Sequence, residues 1–454
     1  MARFALHPVH LLVCSFAAFA GGACVTFLGG RAATARGDTP YGVLDLLGHA
    51  LVAIENEYVD PVDRRKLLEG AVRGMVAELD PHSSYMDPAE FQAFDSDTEG
   101  QFGGIGVEVD VRGGLLVVMA PIEGSPAERA GLRAGDILVT VDRRDPTIEP
   151  LDKLVKHLRG APGTHVTVGV RRPPAEAVLA YDLVREVIHV PSVASTLFKR
   201  RIAYVRVKQF QDATHDELLA AASELRKRAG GTLGGVVLDL RGNPGGLVDQ
   251  AADVADEFLA SGILYTTRHR GQVVDTIEAR PGGAFVSIPC VVIVDKYTAS
   301  AAELVAAALQ DNHRATVVGE TTFGKGSVQA VIALPNGAGM RLTVARYYSP
   351  TGRAIQAEGV HPDVRVETPV PNGVAWVREE GLEGHLAGEP SHDQPRPVSS
   401  DVIVLDAGTG VQPADVASRE AKLPADPERA DDAVLRVAWR TLLQLKHAEP
   451  ALPR

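Results

Sequence analysis

A chain of 454 residues is too long for one ordinary hydrophobic core, and its length suggests about three domains. Its formal net charge of −12 argues against a nucleic-acid partner, whose phosphates select a basic face. Of three cysteines, Cys14 and Cys24 lie near the start and Cys290 stands alone in the body, so no intramolecular disulfide can form outside the opening segment.

Residues 1–36 begin MARFALHPVHLLVCSFAAFAGGACVTFLGG, with no Asp, Glu, Lys or Arg from Ala5 to Gly30 and with Arg3 and Arg31 as flanks. Such a run is a cleaved signal peptide or an uncleaved membrane anchor; position and flanks speak against a buried structural helix. Its length favours the anchor. Ala33-Thr34-Ala35 offers a cleavage site, while Gly21-Gly22-Ala23-Cys24 makes a poor lipoprotein box because glycine stands where leucine is usual. Either favoured reading places the body outside the cytoplasm.

Residues 37–98 read as a helical segment. LDLLGHALVAIENEY and RRKLLEGAVRGMVAEL carry apolar residues at three-and-four spacing, and the turn DPHSSYMDP follows. His82, Ser83 and Ser84 in that turn invite a Ser/His reading, but neither an acid partner nor a nucleophile elbow accompanies them in the sequence. From residue 99 to 186 the texture changes to short alternating strands with glycine turns, an expected helix at LDKLVKHLRG and a strand at THVTVGVRR. From 187 to 367 strands alternate with helices: IAYVRVKQF, then ELLAAASELRKRAG, then GGVVLDLRGNPGGLVDQAADVADEFLASG. That order predicts an α/β core with a helix-covered sheet.

Within the core, VVIVDKYTASAAELVAAALQDNHRATVVGETTFGKGSVQ holds two residues that together could make a nucleophile. Ser300 sits where strand passes into helix, so the backbone N–H groups after it lack intrahelical partners and could hold an oxyanion. Lys325 is the candidate base, provided that a desolvated setting keeps it neutral. Taken alone, Ser300-Ala301-Ala302-Glu303 is a capping box and Ser300 a helix cap. Gly319 to Lys325 matches most of a phosphate-binding loop, yet Gly326 replaces the magnesium-binding hydroxyl and a strand follows where a helix should open, which excludes nucleotide binding. A Ser/His/Asp triad through Asp311 and His313 fails on distance, because a helix of that length rises about 15 Å and carries both away from Ser300.

TASAAELVAAALQD followed by GETTFGKGSVQ resembles the signature of the carboxy-terminal processing peptidases, or tail-specific proteases, and YVDPVDRRKLLEGAVRGMVAELDPHSSYM resembles their upstream segment. The resemblance runs over roughly residues 38–367. It implies a crotonase/Clp-protease-like α/β core with Ser300 as nucleophile, Lys325 as general base and Gln329 orienting the lysine. In an ideal strand Gln329 would lie about 13 Å beyond Lys325, so its role rests on the resemblance alone. RGNPGG resembles the family's Asn-Pro-Gly-Gly loop, with Gly242 at one Asn position, and implies an oxyanion hole from the N–H of Gly246 or Gly245 with that of Ala301. GGIGVEVDVRGGLLVVMAPIEGSPAERAGLRAGDILVTVD resembles a PDZ domain, in which Gly103, Gly104, Ile105 and Gly106 would form the loop that captures a peptide carboxylate while the strand from Ile105 to Val109 pairs with the peptide.

Residues 368–454 turn proline-rich and acidic and are expected to be partly disordered. One helix is expected at AVLRVAWRTLLQL, capped by Asp426 with Pro427 at its first position, and docked on the body or on a second subunit. The sequence therefore predicts a serine endopeptidase, without cofactor or metal, that cleaves exported polypeptides with apolar carboxyl termini. It is tethered to or exported across a membrane by its N-terminus, and a homo-oligomer is allowed. The competing reading is a catalytically silent PDZ adaptor. An acyl-CoA enzyme on a related core has no use for an export leader.

Overall fold

The computed structural model describes residues 42–112, 115–144, 157–367, 377–388, 403–404, 427–429 and 432–448. The expected leader and most of the expected helix LDKLVKHLRG lie outside these residues. The chain divides into two compact units, residues 1–75 and 76–454. The first holds α1 (Gly42–Glu57) and nearly all of α2 (Arg64–Ala77), with Leu46, Tyr58 and Val59 exposed. Asp63 starts α2 by accepting the N–H of Arg65 at 2.9 Å.

The second unit opens with β1 (Ser84–Met86) inside the expected turn, then α3 (Pro88–Glu99). Asp87 caps α3 through the N–H groups of Ala89 and Glu90, and the Glu90 carboxylate accepts the Asp87 N–H, a full capping box. The PDZ region follows as β2 (Gln101–Gly104), β3 (Val107–Arg112), β4 (Leu115–Pro121), α4 (Pro126–Arg129), β5 (Ile137–Val141), β6 (His165–Arg171), β7 (Val178–Val184) and β8 (Glu186–His189). Strands β3 to β7 form a five-stranded antiparallel sheet in chain order. Its inner face is packed by Ile105, Val118, Leu138, Val168 and Val170, all almost fully buried. Among the described residues, strands β2 and β8 pair only with each other.

The core comprises β9 (Val193–Phe198), β10 (Ile202–Val207), α5 (Thr214–Arg228), β11 (Gly235–Asp239), α6 (Val248–Asp256), β12 (Ile263–His269), β13 (Gln272–Glu278), β14 (Cys290–Val294), α7 (Ala301–Asp311), β15 (Thr316–Gly319), β16 (Ser327–Ala333), β17 (Gly339–Tyr348) and β18 (Val364–Glu367). With β19 (Ile403–Val404), a seven-stranded sheet runs β19-β18-β15-β14-β11-β10-β9, parallel except for β9. Strands β11 and β14 are buried throughout, which explains their unbroken apolar runs GVVLD and CVVIV. Their side chains still alternate. Val236, Leu238, Val292 and Val294 face α5, α6 and α7, while Val237, Val291 and Ile293 face α8 (Ala433–Ala448) and its Trp439.

Helix α8 begins later than the sequence suggests. Asp432, not Asp426, caps it by accepting the Leu435 N–H at 3.0 Å, and Pro427 opens a separate single turn of 3₁₀ helix, Pro427–Arg429. Within the tail, residues 377–388 pack against the core, and Glu379 there is fully buried. A second sheet, β1-β17-β12-β13 with β16 paired to β17, stands beside the main one and carries the strand that follows Lys325. The predicted alternation of strand and helix holds from β10 to β12 and from β14 to β15, whereas β12 to β14 and β15 to β18 follow one another without an intervening α-helix.

Candidate active site

Ser300 lies between β14 and α7 with φ 55° and ψ −121°, a strained setting for a residue with a side chain. The turn before it is pinned by Asp295, whose Oδ1 accepts the N–H groups of Tyr297 and Thr298 at 3.0 and 2.9 Å. The same oxygen accepts the Gly242 N–H at 3.0 Å, which ties the serine turn to the RGNPGG loop. Burial raises the Asp295 pKa above the usual carboxylate range. Ser300 and Glu303 meet as the capping-box pattern predicts, the Glu303 carboxylate accepting the Ser300 N–H at 2.8 Å. The Glu303 N–H also reaches the Ser300 carbonyl at 2.9 Å.

The glycine loop presses against this turn. A Cβ on Gly245 would stand 2.8 Å from the Ser300 Cβ and 3.0 Å from the Ala301 nitrogen, so only glycine allows the approach. The sequence left Gly245 and Gly246 open as oxyanion donors. The Gly245 N–H donates to Oδ1 of Asn243 at 2.8 Å. Asn243 also holds the serine turn, its carbonyl accepting the Ala299 N–H at 2.9 Å. The N–H groups of Gly246 and Ala301 make no hydrogen bond among the described residues. Gly246 is placed by Phe210, whose carbonyl accepts the next N–H, that of Leu247, at 2.8 Å. Upstream, Arg241 is fixed by ion pairs to Asp239 and to Asp432 of the α8 cap, the latter at 2.8 Å.

Glu303 joins the serine to the lysine. Its carboxylate is fully buried in the first turn of α7. Oε2 accepts the Ser300 N–H and the Lys325 N–H, each at 2.8 Å. Two nitrogens each 2.8 Å from one oxygen cannot lie more than twice that, about 5.6 Å, apart, so the backbones at Ser300 and Lys325 are neighbours. Oε1 accepts the Gly324 N–H at 2.7 Å and the Thr322 hydroxyl. Burial lifts the Glu303 pKa to about 7 against these four donors, and only the ionised carboxylate can accept all four at once. Sequence reasoning saw Glu303 only as a capping residue; the capping box was the one signal that pointed to it.

Lys325 is half-buried, and burial together with the Arg341 charge holds its pKa below the ordinary lysine value against the opposing carboxylates of Glu379, Asp80 and Glu303. Gln329 does not hydrogen-bond Lys325 here. A register shift between Val328 and Gln329 turns its amide so that Nε2 donates to Ser327 at 2.9 Å and to Thr343 at 3.3 Å. The loss of alternation at that bulge is why spacing alone could not place it. His82 does find an acid partner that the sequence hid: its Nε2 lies 2.7 Å from Oε2 of Glu379, 297 positions away. Ser83 turns to Asp80 instead, its hydroxyl donating at 2.8 Å, so no Ser/His pair forms in that turn. Asp311, the last residue of α7, pairs with Arg353 at 3.1 Å.

At the PDZ region the expected carboxylate loop is shorter than four residues. Gly103 and Gly104 belong to β2 and pair with Val187 and Glu186 of β8, which leaves Ile105 and Gly106 as the connection to β3. The outer edge of β3 has no strand partner among the described residues. Among those residues, no group of three or more His, Cys, Asp or Glu could hold a metal ion.

Comparison with known proteins decides the family. The chain is 38% identical over 415 residues to the carboxy-terminal-processing protease of Bartonella bacilliformis, covering 90% of each chain. The chain belongs to the carboxy-terminal processing proteases. It is 33% identical to carboxy-terminal processing protease CtpA of Bacillus subtilis, over 75% of this chain and 72% of that one. Models for peptidase family S41, a PDZ domain and the CtpB activating-protease N-terminal domain match residues 201–366, 117–172 and 32–90. The solved photosystem II D1 C-terminal processing protease is 33% identical, covering 70% of this chain and 91% of that chain with a TM-score of 0.44. The protein is thus a serine-type peptidase with a PDZ domain, acting on polypeptides.

Proposed function

We propose that this protease cleaves exported proteins near their carboxyl termini by a Ser/Lys mechanism. The observation that carries the reading is the single Glu303 oxygen that holds the backbone of both Ser300 and Lys325. Neutral Lys325 takes the hydroxyl proton of Ser300 as Oγ attacks the scissile carbonyl carbon. The N–H groups of Gly246 and Ala301 receive the oxyanion, and protonated Lys325 returns its proton to the leaving amine. Water then attacks the Ser300 ester, again with Lys325 as base, and frees the enzyme. The amide oxygen of Gln329 is the group left to receive the lysine ammonium, since the amide nitrogen is engaged.

The edge of β3 would take the substrate tail as an added strand, with Ile105 and Gly106 facing its carboxylate. Apolar carboxyl termini suit such a groove, and the N-terminal segment would anchor or export the enzyme to the compartment of its substrates. No helix among the described residues is long and apolar enough to cross a membrane. A silent PDZ adaptor has no need of a strained serine beside a half-buried lysine. The test is a serine-directed fluorophosphonate followed by peptide mapping. Label on Ser300 that is absent from Ser300→Ala supports the reading, and label at any other serine refutes it.

A further inference from the structure

The backbone around Lys325 is held from two sides. Glu303 accepts the N–H groups of Gly324 and Lys325. The next N–H, of Gly326, donates at 3.0 Å to Oε1 of Gln356, whose Nε2 in turn donates to Oε1 of Glu379 at 2.8 Å. Glu379 grips the loop a second time, its own N–H donating to the Phe323 carbonyl at 3.2 Å. Arg378 beside it donates from Nε to the Thr322 carbonyl at 3.2 Å and from Nη2 to the Glu358 carbonyl at 2.7 Å. The Glu379 side chain is fully buried, and its remaining oxygen faces His82. Glu379 and Arg378 thus bond the loop on the N-terminal side of Lys325 and, through Gln356, on its C-terminal side. They lie beyond the residues matched by the peptidase-family model.

We propose that Glu379, locked by His82 and Gln356, is a positioning residue for the loop that carries Lys325, so the segment Val377–Gly388 completes the catalytic machinery from outside the peptidase core. The inference rests on the Ser/Lys reading. A buried carboxylate held by two side chains, one of them a histidine 297 positions away, is costly to build. Its charge also acts on the base. The charged groups facing Lys325 are Arg341 on β17, Asp80 before β1, Glu303 on α7 and Glu379; those facing Glu379 are His82 and Lys325. Burial works against ionisation of Glu379, but the hydrogen bonds from His82 and Gln356 outweigh it and hold its pKa below the usual value.

The experiment compares wild type, Glu379→Gln, His82→Ala and Lys325→Ala as full chains, in hydrolysis of a tail-bearing peptide from about pH 6 to 10. Active-site titration with the fluorophosphonate normalises each rate to competent enzyme. Glu379→Gln and His82→Ala should lower kcat by at least about tenfold with KM nearly unchanged, because a base displaced by a fraction of an ångström loses alignment. Glu379→Gln should also move the alkaline-rising limb to lower pH, since a negative charge beside the ammonium is gone. Wild-type kcat in Glu379→Gln overturns the proposal, and so does a lowered kcat with an unmoved limb, which is what a merely structural residue would give. Both of those results leave the Ser/Lys reading standing. A wild-type rate in Lys325→Ala would instead overturn that reading, and this inference with it.

Discussion

Replacing Glu303 by glutamine separates what the buried carboxylate does for chemistry from what it does for stability. In the fold its pKa is lifted from 4.5 to about 7 by burial. A raised folded pKa means that the protonated native form is favoured, so the stability contribution is complete below about 4.5 and is lost as pH rises through about 7. At 1.36 kcal/mol per pH unit, the loss reaches about 3 kcal/mol above pH 8. Glutamine cannot ionise, so the stability of Glu303→Gln relative to wild type should improve by that amount between pH 4.5 and 8.5. Urea unfolding reads it as a relative midpoint shift of about 1 M, for an m-value of about 3 kcal/mol/M. The variant should nonetheless be inactive at every pH. Its amide nitrogen faces either the Gly324 N–H or the N–H pair of Ser300 and Lys325, and a buried donor without an acceptor costs about 1–3 kcal/mol. A stability difference that is the same at pH 4.5 and 8.5, or a Glu303→Gln enzyme with wild-type turnover, would refute the reasoning.

The strained backbone at Ser300 predicts that Ser300→Gly and Ser300→Ala are both inactive but that the glycine variant is more stable, by about 1 kcal/mol on thermal unfolding; equal melting points would argue against strain. Gly245→Ala should abolish turnover, because its Cβ would strike the Ser300 Cβ, while leaving tail-peptide affinity measured by calorimetry unchanged. Residues 1–45 fused to a reporter active only after export should give signal, and a silent, cytoplasmic reporter would end the localisation reading.

The strands and helices of the core were legible because β11 and β14 are buried on both faces and read as continuous apolar runs, whereas α5 buries Thr214, Leu218, Ala222 and Leu225 at helical spacing. Ser300 and Lys325 were singled out by the resemblance of their surroundings to a family signature, since taken alone each fits a helix cap or a loop lysine. Their proximity was not legible, because it depends on one carboxylate receiving N–H groups 25 positions apart in the chain. The hydrogen bond that occupies the Gly245 N–H is accepted by an Asn243 side chain that no spacing rule orients. The pairing of His82 with Glu379 spans nearly the whole body of the chain, beyond the reach of any local pattern. The cap of α8 is Asp432 rather than Asp426, because Asp426-Pro427 satisfies the local rule equally well but Pro427 opens only a short 3₁₀ turn.

The central claim, that Lys325 is the base for Ser300, is tested most directly by peptide hydrolysis with Lys325→Arg from about pH 6 to 10. Burial and the Arg341 charge depress the lysine pKa in the fold, so its neutral form, and with it wild-type activity, should rise along a limb that begins below the roughly 10.4 of a free side chain. The depressed value also means that the lysine's contribution to stability is complete only above that pH and is lost as pH falls through the folded pKa. Arginine keeps the charge and cannot give up its proton in this range. Lys325→Arg should therefore be inactive throughout, with tail-peptide binding retained. Wild-type-like hydrolysis by Lys325→Arg across the range would exclude Lys325 as the base.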